Sequence, residues 1–275
     1  MRWDRGYSNP EVEDRRSEGP TYGGGGGGGG GALAILRLFS MFGWKGLLVG
    51  LVLAAGIGVY SQFGGGGGPG VTTSRPSATA PAQDELAHFV GYVFEDVQKS
   101  WRARVPNYED THLVLFRGST RSGCGTAQAA IGPFYCPNDK KVYIDLAFYD
   151  MLRQRFGAPG DFAQAYVIAH EIGHHVQDTL GLLGHGRTDS VKVELQADCL
   201  AGAWAKDAEA RGELENGDLG EALNAASQIG DDTLQKREQG HVQPETFTHG
   251  TSAQRKASFQ SGYQGGPSAC GVSSR

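Results

Sequence analysis

The sequence is short of several things that would simplify its reading. It has only four cysteines in 275 residues, and no two of them stand at zinc-ligand spacing, so a thiolate cage for a structural metal is excluded. Basic charge is not in excess: 25 Lys and Arg face 30 Asp and Glu, for a net charge of −5. That removes the positive field a nucleic-acid partner needs. No repeat period is visible. Apolar residues make up 39%, low for a globular chain, and the 44 glycines explain the deficit. They cluster at Gly23–Gly31 and Gly64–Gly68. Neither run can bury apolar surface against its backbone entropy, so both read as flexible spacers.

Charge is also missing from one stretch. From Gly46 to Tyr60 every residue is apolar or Gly, and no Lys or Arg appears from Gly46 through Ser74. Such a span can cross about 30 Å of hydrocarbon. Trp44 and Tyr60 stand where interfacial aromatics belong, and Arg37 and Lys45 flank the N-terminal side. The expectation is a single transmembrane helix over 44–63, preceded by a disordered cytoplasmic tail (1–43) and followed by a flexible linker (64–83). The positive-inside rule puts the N-terminus in the cytoplasm and the folded domain, 84–275, on the periplasmic or extracellular side. Gly46 and Gly50 are spaced for a homodimer through this helix.

All four cysteines follow that span. Cys124 and Cys136 bracket a Gly/Pro-containing loop and are expected to pair; Cys199 with Cys270 follows by elimination.

Apolar residues at Leu86, Phe89, Val90, Val93, Phe94 and Val97 mark a helix with Asp84 as its cap. "THLVLFRG" and "KKVYIDL" read as strands, and "AFYDMLRQRFG" as a short helix. A longer helix runs from Asp161 to about Leu180. "DSVKVELQADCLAGAWAKDAEARG", "LGEALNAASQIG" and "TSAQRKASFQSG" give three more. Strands come first and helices dominate, so the expected class is α+β, mostly helical with a small sheet.

The helix beginning at Asp161 carries His170-Glu171-Ile172-Gly173-His174, an H-E-x-x-H. Positions i and i+4 share a face, about 5–6 Å apart at Cβ, so the two imidazoles can hold one Zn²⁺. Glu171 is turned by about 100° and stands beside that ion, where a base must be to deprotonate a metal-bound water. Chance alone yields this pattern in roughly one such chain in a hundred. His175 cannot share the face of His170 and is expected behind the ligands or exposed. A third ligand is required. A metzincin would carry Gly at 177 and His at 180; this chain has Gln177 and Leu180. The next offer is "VELQAD", with Glu194 and Asp198 again one turn apart. Glu194 is assigned to the metal and Asp198 to the outer N–H of a ligating imidazole; the reverse assignment is the alternative. His185 lies in a Gly-rich turn within reach of such a site.

HEIGHH followed by ELQADC resembles the bacterial neutral zinc metallopeptidases, membrane-tethered and gluzincin-like. The loop "CGTAQAAIGPFYCPNDKKVYIDL", the late "HGTSAQR" and the opening "MRW" and "VEDRR" are similar to that family too. The resemblance covers most of the chain. It implies a zincin-like domain with zinc at His170, His174 and Glu194, and Glu171 catalytic.

The reading is a membrane-anchored zinc peptidase acting on a peptide or protein, with Glu171 as general base. An oxyanion donor is expected at His249, ahead of His241, Tyr166 and Tyr263. "KVYIDL" is a candidate edge for an extended peptide. Two alternatives stand: a non-catalytic tethered scaffold with a structural metal, and a zinc amidase acting on cell-envelope bonds.

Overall fold

In the computed structural model, residues 1–18, 80–128, 132–183 and 190–272 are described. The expected transmembrane helix and the linker lie outside them, apart from the linker's last few residues. Among the described residues, no helix is long and apolar enough to cross a membrane.

The mixed class holds. Helix α1 (Ala80–Arg102) begins before the expected Asp84 and buries the predicted stripe, with Phe89, Val90, Val93, Phe94, Val97 and Trp101 inside. Asp84 does not cap it; its carboxylate pairs with Arg16 at 3.1 Å. A four-stranded sheet runs in the order β1 (Val12–Asp14), β2 (His112–Phe116), β6 (Lys141–Asp145), β5 (Phe134–Cys136). β1, β2 and β6 are parallel, and β5 is antiparallel to β6. A hairpin of β3 (Ser119–Ser122) and β4 (Gly125–Gln128) adds a small core beyond the sheet, where Val114, Phe116, Ala127, Cys136 and Tyr143 meet.

Two expectations are corrected. β6 is not an edge: it lies between β2 and β5. Its polar positions are buried with partners, Tyr143 donating to Asp139 at 2.6 Å and Asp145 accepting from Gly118 and Ala147. Residues 1–18 are not a disordered tail. They belong to the same compact unit as the segment after residue 79. Trp3 packs edge-on against Phe89, Tyr7 against Tyr92, and β1 extends the sheet. Aromatic burial and ladder hydrogen bonds offset the ordering entropy that composition suggested would go unrecovered.

The helical body follows the sheet: α2 (Ala147–Gln154), α3 (Asp161–Thr179), α4 (Ser190–Ala210), α5 (Asp218–Gln228), α6 (Asp231–Gln239) and α7 (Ser252–Gly265). α3 is the central element, packed by α1, α4 and α5. Phe162 stacks on Trp204 of α4 inside this body. Asp161 opens α3 but does not cap it; its carboxylate receives the Met1 ammonium at 2.7 Å. Both expected disulfides are present, Cys124–Cys136 and Cys199–Cys270.

Candidate metal centre

α3 and α4 approach closely at Gly173. A methyl group there would sit 3.1 Å from Ala197 Cα and O, so the absence of a side chain lets the two backbones meet. That approach carries Glu194, on the first turns of α4, over the histidine face of α3. His170 Nε2 lies 3.1 Å from Glu194 Oε2, and His174 Nε2 lies 3.5 Å from Glu194 Oε1. The two rings are 4.8 Å apart and nearly perpendicular. One ligand atom from each of the three residues falls within 4.8 Å of the others.

The protons decide what these atoms can do. His170 Nδ1 is 2.8 Å from Asp198 Oδ1, and a carboxylate only accepts, so Nδ1 carries a proton. His174 Nδ1 is likewise bound to Gln177 Oε1 at 2.8 Å. In the neutral rings both Nε2 lone pairs therefore point at the Glu194 carboxylate. Three acceptors converging in this way require a shared cation, and a divalent metal meets the need for all three at once. Without a metal the demand falls on a proton. Burial opposes a charge on His170, but Asp198 and Glu194 outweigh it and lift its pKa to about 10. Glu194 is correspondingly held far below the usual carboxylate range by the two histidines, despite its own burial.

Behind this face lies a fully enclosed polar cluster. Asp198 is 0% exposed and accepts from Tyr166 Oη at 2.5 Å, from His170, and from Arg255 Nε and Nη2 at 2.8 and 2.9 Å. Burial pushes the Asp198 carboxyl up, yet Arg255 and His170 together bring it down to about 2. Asp198 therefore stands at the back of His170, while Glu194 faces its Nε2.

Glu171 is buried on α3 next to His170. His249 stands in the loop before α7. Its Nδ1 is 3.1 Å from Asp231 Oδ1, and the other Asp231 oxygen accepts the backbone N–H groups of Thr248, His249 and Gly250. His249 also senses Glu194: burial works against its charge, but Asp231 and Glu194 raise its pKa. The family model described as "Putative neutral zinc metallopeptidase" matches residues 1–272.

The chain belongs to that family. Similar chains include the uncharacterized protein YpfJ of Escherichia coli K12, 43% identical over 98% of both chains. The uncharacterized protein Rv2575 of Mycobacterium tuberculosis H37Rv is 41% identical over 74% of this chain and 75% of its own. No solved structure matches.

The other candidates for an oxyanion donor are placed elsewhere. Tyr166 is committed to Asp198 behind the ligands. His241 is exposed and bonded to Gln239 and Gln243. Tyr263 interacts with Glu209. His185 lies outside the described residues. His175, expected behind the ligands or exposed, is buried on the far side of α3, between Tyr135 Oη and the Glu109 carbonyl. Sequence reasoning missed Gln177, Asp231 and Arg255. The first had a signal, since it lies one turn after His174. Arg255 had none: an arginine in "TSAQR" reads as solvent-facing.

Proposed function

We propose that this chain is a zinc-dependent peptidase, with Glu171 as general base and His249 as donor to the developing oxyanion. The observation that carries the proposal is the convergence of His170 Nε2, His174 Nε2 and Glu194, with both Nδ1 protons committed elsewhere. Three protein ligands leave a position for solvent or substrate, whereas structural zinc sites are closed by four. That favours a hydrolase over a scaffold.

His170, His174 and Glu194 would hold the zinc, which when bound would supply an acidified water and a Lewis acid for a carbonyl oxygen. The rest is done by the chain's own groups. Glu171 accepts a proton from the attacking water at a carboxylate oxygen and returns it to the leaving nitrogen. His249 has Nδ1 facing Asp231, and in the doubly protonated ring, which Asp231 and Glu194 favour, Nε2 can donate to the oxygen that gains charge. Asp231 fixes the loop through three backbone bonds, so the donor is positioned before substrate arrives. β5 is the sheet edge nearest α3, joined to it by Tyr135 donating to Asp178 at 2.7 Å. Its outer side is open for an extended peptide to add as a further strand. Attachment to a membrane through 44–63 and a peptide or protein substrate belong to the same reading; an amidase would use the same groups on another bond.

The test is cleavage of a peptide library by the full chain in detergent micelles, with and without chelator, alongside Glu171→Gln. We expect chelator and Glu171→Gln each to abolish cleavage while the variant keeps its zinc. Undiminished cleavage by Glu171→Gln ends the assignment.

A further inference from the structure

The N-terminal segment raises a problem of sidedness. β1 is hydrogen-bonded to β2 in parallel register, Val12 opposite Leu113 and Asp14 opposite Leu115. Leu113 N donates to Glu11 O at 3.0 Å, and Arg15 N to Leu115 O at 2.7 Å. Side chains reinforce the ladder from three directions. His112 meets Glu11 at 2.6 Å, Lys141 meets Glu13 at 2.9 Å, and Arg15 reaches Thr120 at 3.2 Å. Asn9 Nδ2 donates to Gly91 O on α1, where a methyl group would already crowd Val12 and Asn9. The segment is thus built into the domain over its whole length.

Contacts of about 3 Å cannot form across about 30 Å of hydrocarbon. If the apolar stretch over 44–63 crossed once, residues 1–18 and the domain would lie on opposite faces and none of these bonds could exist. We infer that residues 1–18 and the domain stand on the same side of the membrane. The partner is a bilayer approached from one face. The two disulfides, Cys199–Cys270 and Cys124–Cys136, select the side: they persist in an oxidising compartment, which places residue 1 outside the cytoplasm together with the domain. This reverses the N-terminal orientation expected from Arg37 and Lys45. It stands apart from the peptidase reading, because no residue of the metal face enters it.

The experiment uses the full chain in its own membrane. Ser8→Cys and Ala257→Cys, both at exposed positions, are labelled singly in intact spheroplasts with a membrane-impermeant maleimide, then again after lysis. We expect full labelling of both before lysis. One labelled and one protected overturns the shared side; both protected overturns the oxidising side. As a second readout, Glu11→Cys with His112→Cys is treated with a short bismaleimide. A cross-link within one chain, seen as faster migration of the denatured monomer, is expected. Its absence, or a cross-linked dimer alone, overturns the pairing of β1 with its own β2.

Discussion

Arg255 grips Asp198 at both carboxylate oxygens, Nε on one and Nη2 on the other, with neither residue more than 3% exposed. The pair lies behind His170, so the ring's orientation depends on a cation that never meets the metal. Arg255→Met leaves a buried carboxylate uncompensated and should cost about 3–5 kcal/mol in urea unfolding. Asp198→Asn leaves Arg255 without its counter-charge, and should lower zinc affinity by about 10–100-fold in competition with a chelating dye. Unchanged affinity would detach Asp198 from the site.

Glu171→Gln keeps the shape of the side chain and removes its basicity. With the metal retained, kcat should fall by about 10²–10⁴ while KM moves little, as read from steady-state cleavage of a fluorogenic peptide.

His175 supplies a pH dependence. Burial lowers its pKa, so the folded chain refuses a proton that the unfolded chain accepts near pH 6.5. Its contribution to stability is complete above that value and is lost as pH falls toward the folded pKa. Going from pH 7.5 to 5.5 should therefore destabilise the wild type more than His175→Gln, which does not titrate. Equal losses in paired urea titrations would contradict this.

α4 and α7 cross at two glycines. A methyl group on Gly262 would sit 1.8 Å from the Cys199 carbonyl oxygen, and one on Gly202 would sit 1.9 Å from that of Phe259. Gly262→Ala must push the helices apart, with an expected loss of about 1–3 kcal/mol or more. Because α7 carries Arg255, weaker zinc binding should accompany the loss. Normal melting in scanning calorimetry would refute it.

The Cys199–Cys270 bridge closes a separation of 71 residues. Replacing both cysteines by Ala should remove about 4 kcal/mol by the loop-entropy account, seen as a lower denaturant midpoint.

What the sequence made legible was what carries a period or a fixed spacing. The apolar stripe of α1, the pair of histidines one turn apart and the Glu194–Asp198 pair all announce which face they present. α6 went unread because "DDTLQKREQ" has no apolar stripe; Asp231 is its one buried residue. β1 is three residues, two of them acidic, and only its distant partner makes it a strand. "KVYIDL" read as a candidate edge, but Tyr143 and Asp145 satisfy their polar atoms locally and let β6 sit inside the sheet. Asp231 and Arg255 act through loops and helix ends distant in sequence, which no local pattern encodes.

The sheet edge made by β1 also bears on how the molecule can be handled. A recombinant fragment cut after the apolar stretch, to gain solubility, would strip the outermost strand from β2 and bare Phe89 and Tyr92. The backbone groups left unpaired would template intermolecular pairing, so that such a fragment should precipitate where the intact polypeptide does not. Supplying residues 1–18 as a separate peptide should restore it to solution.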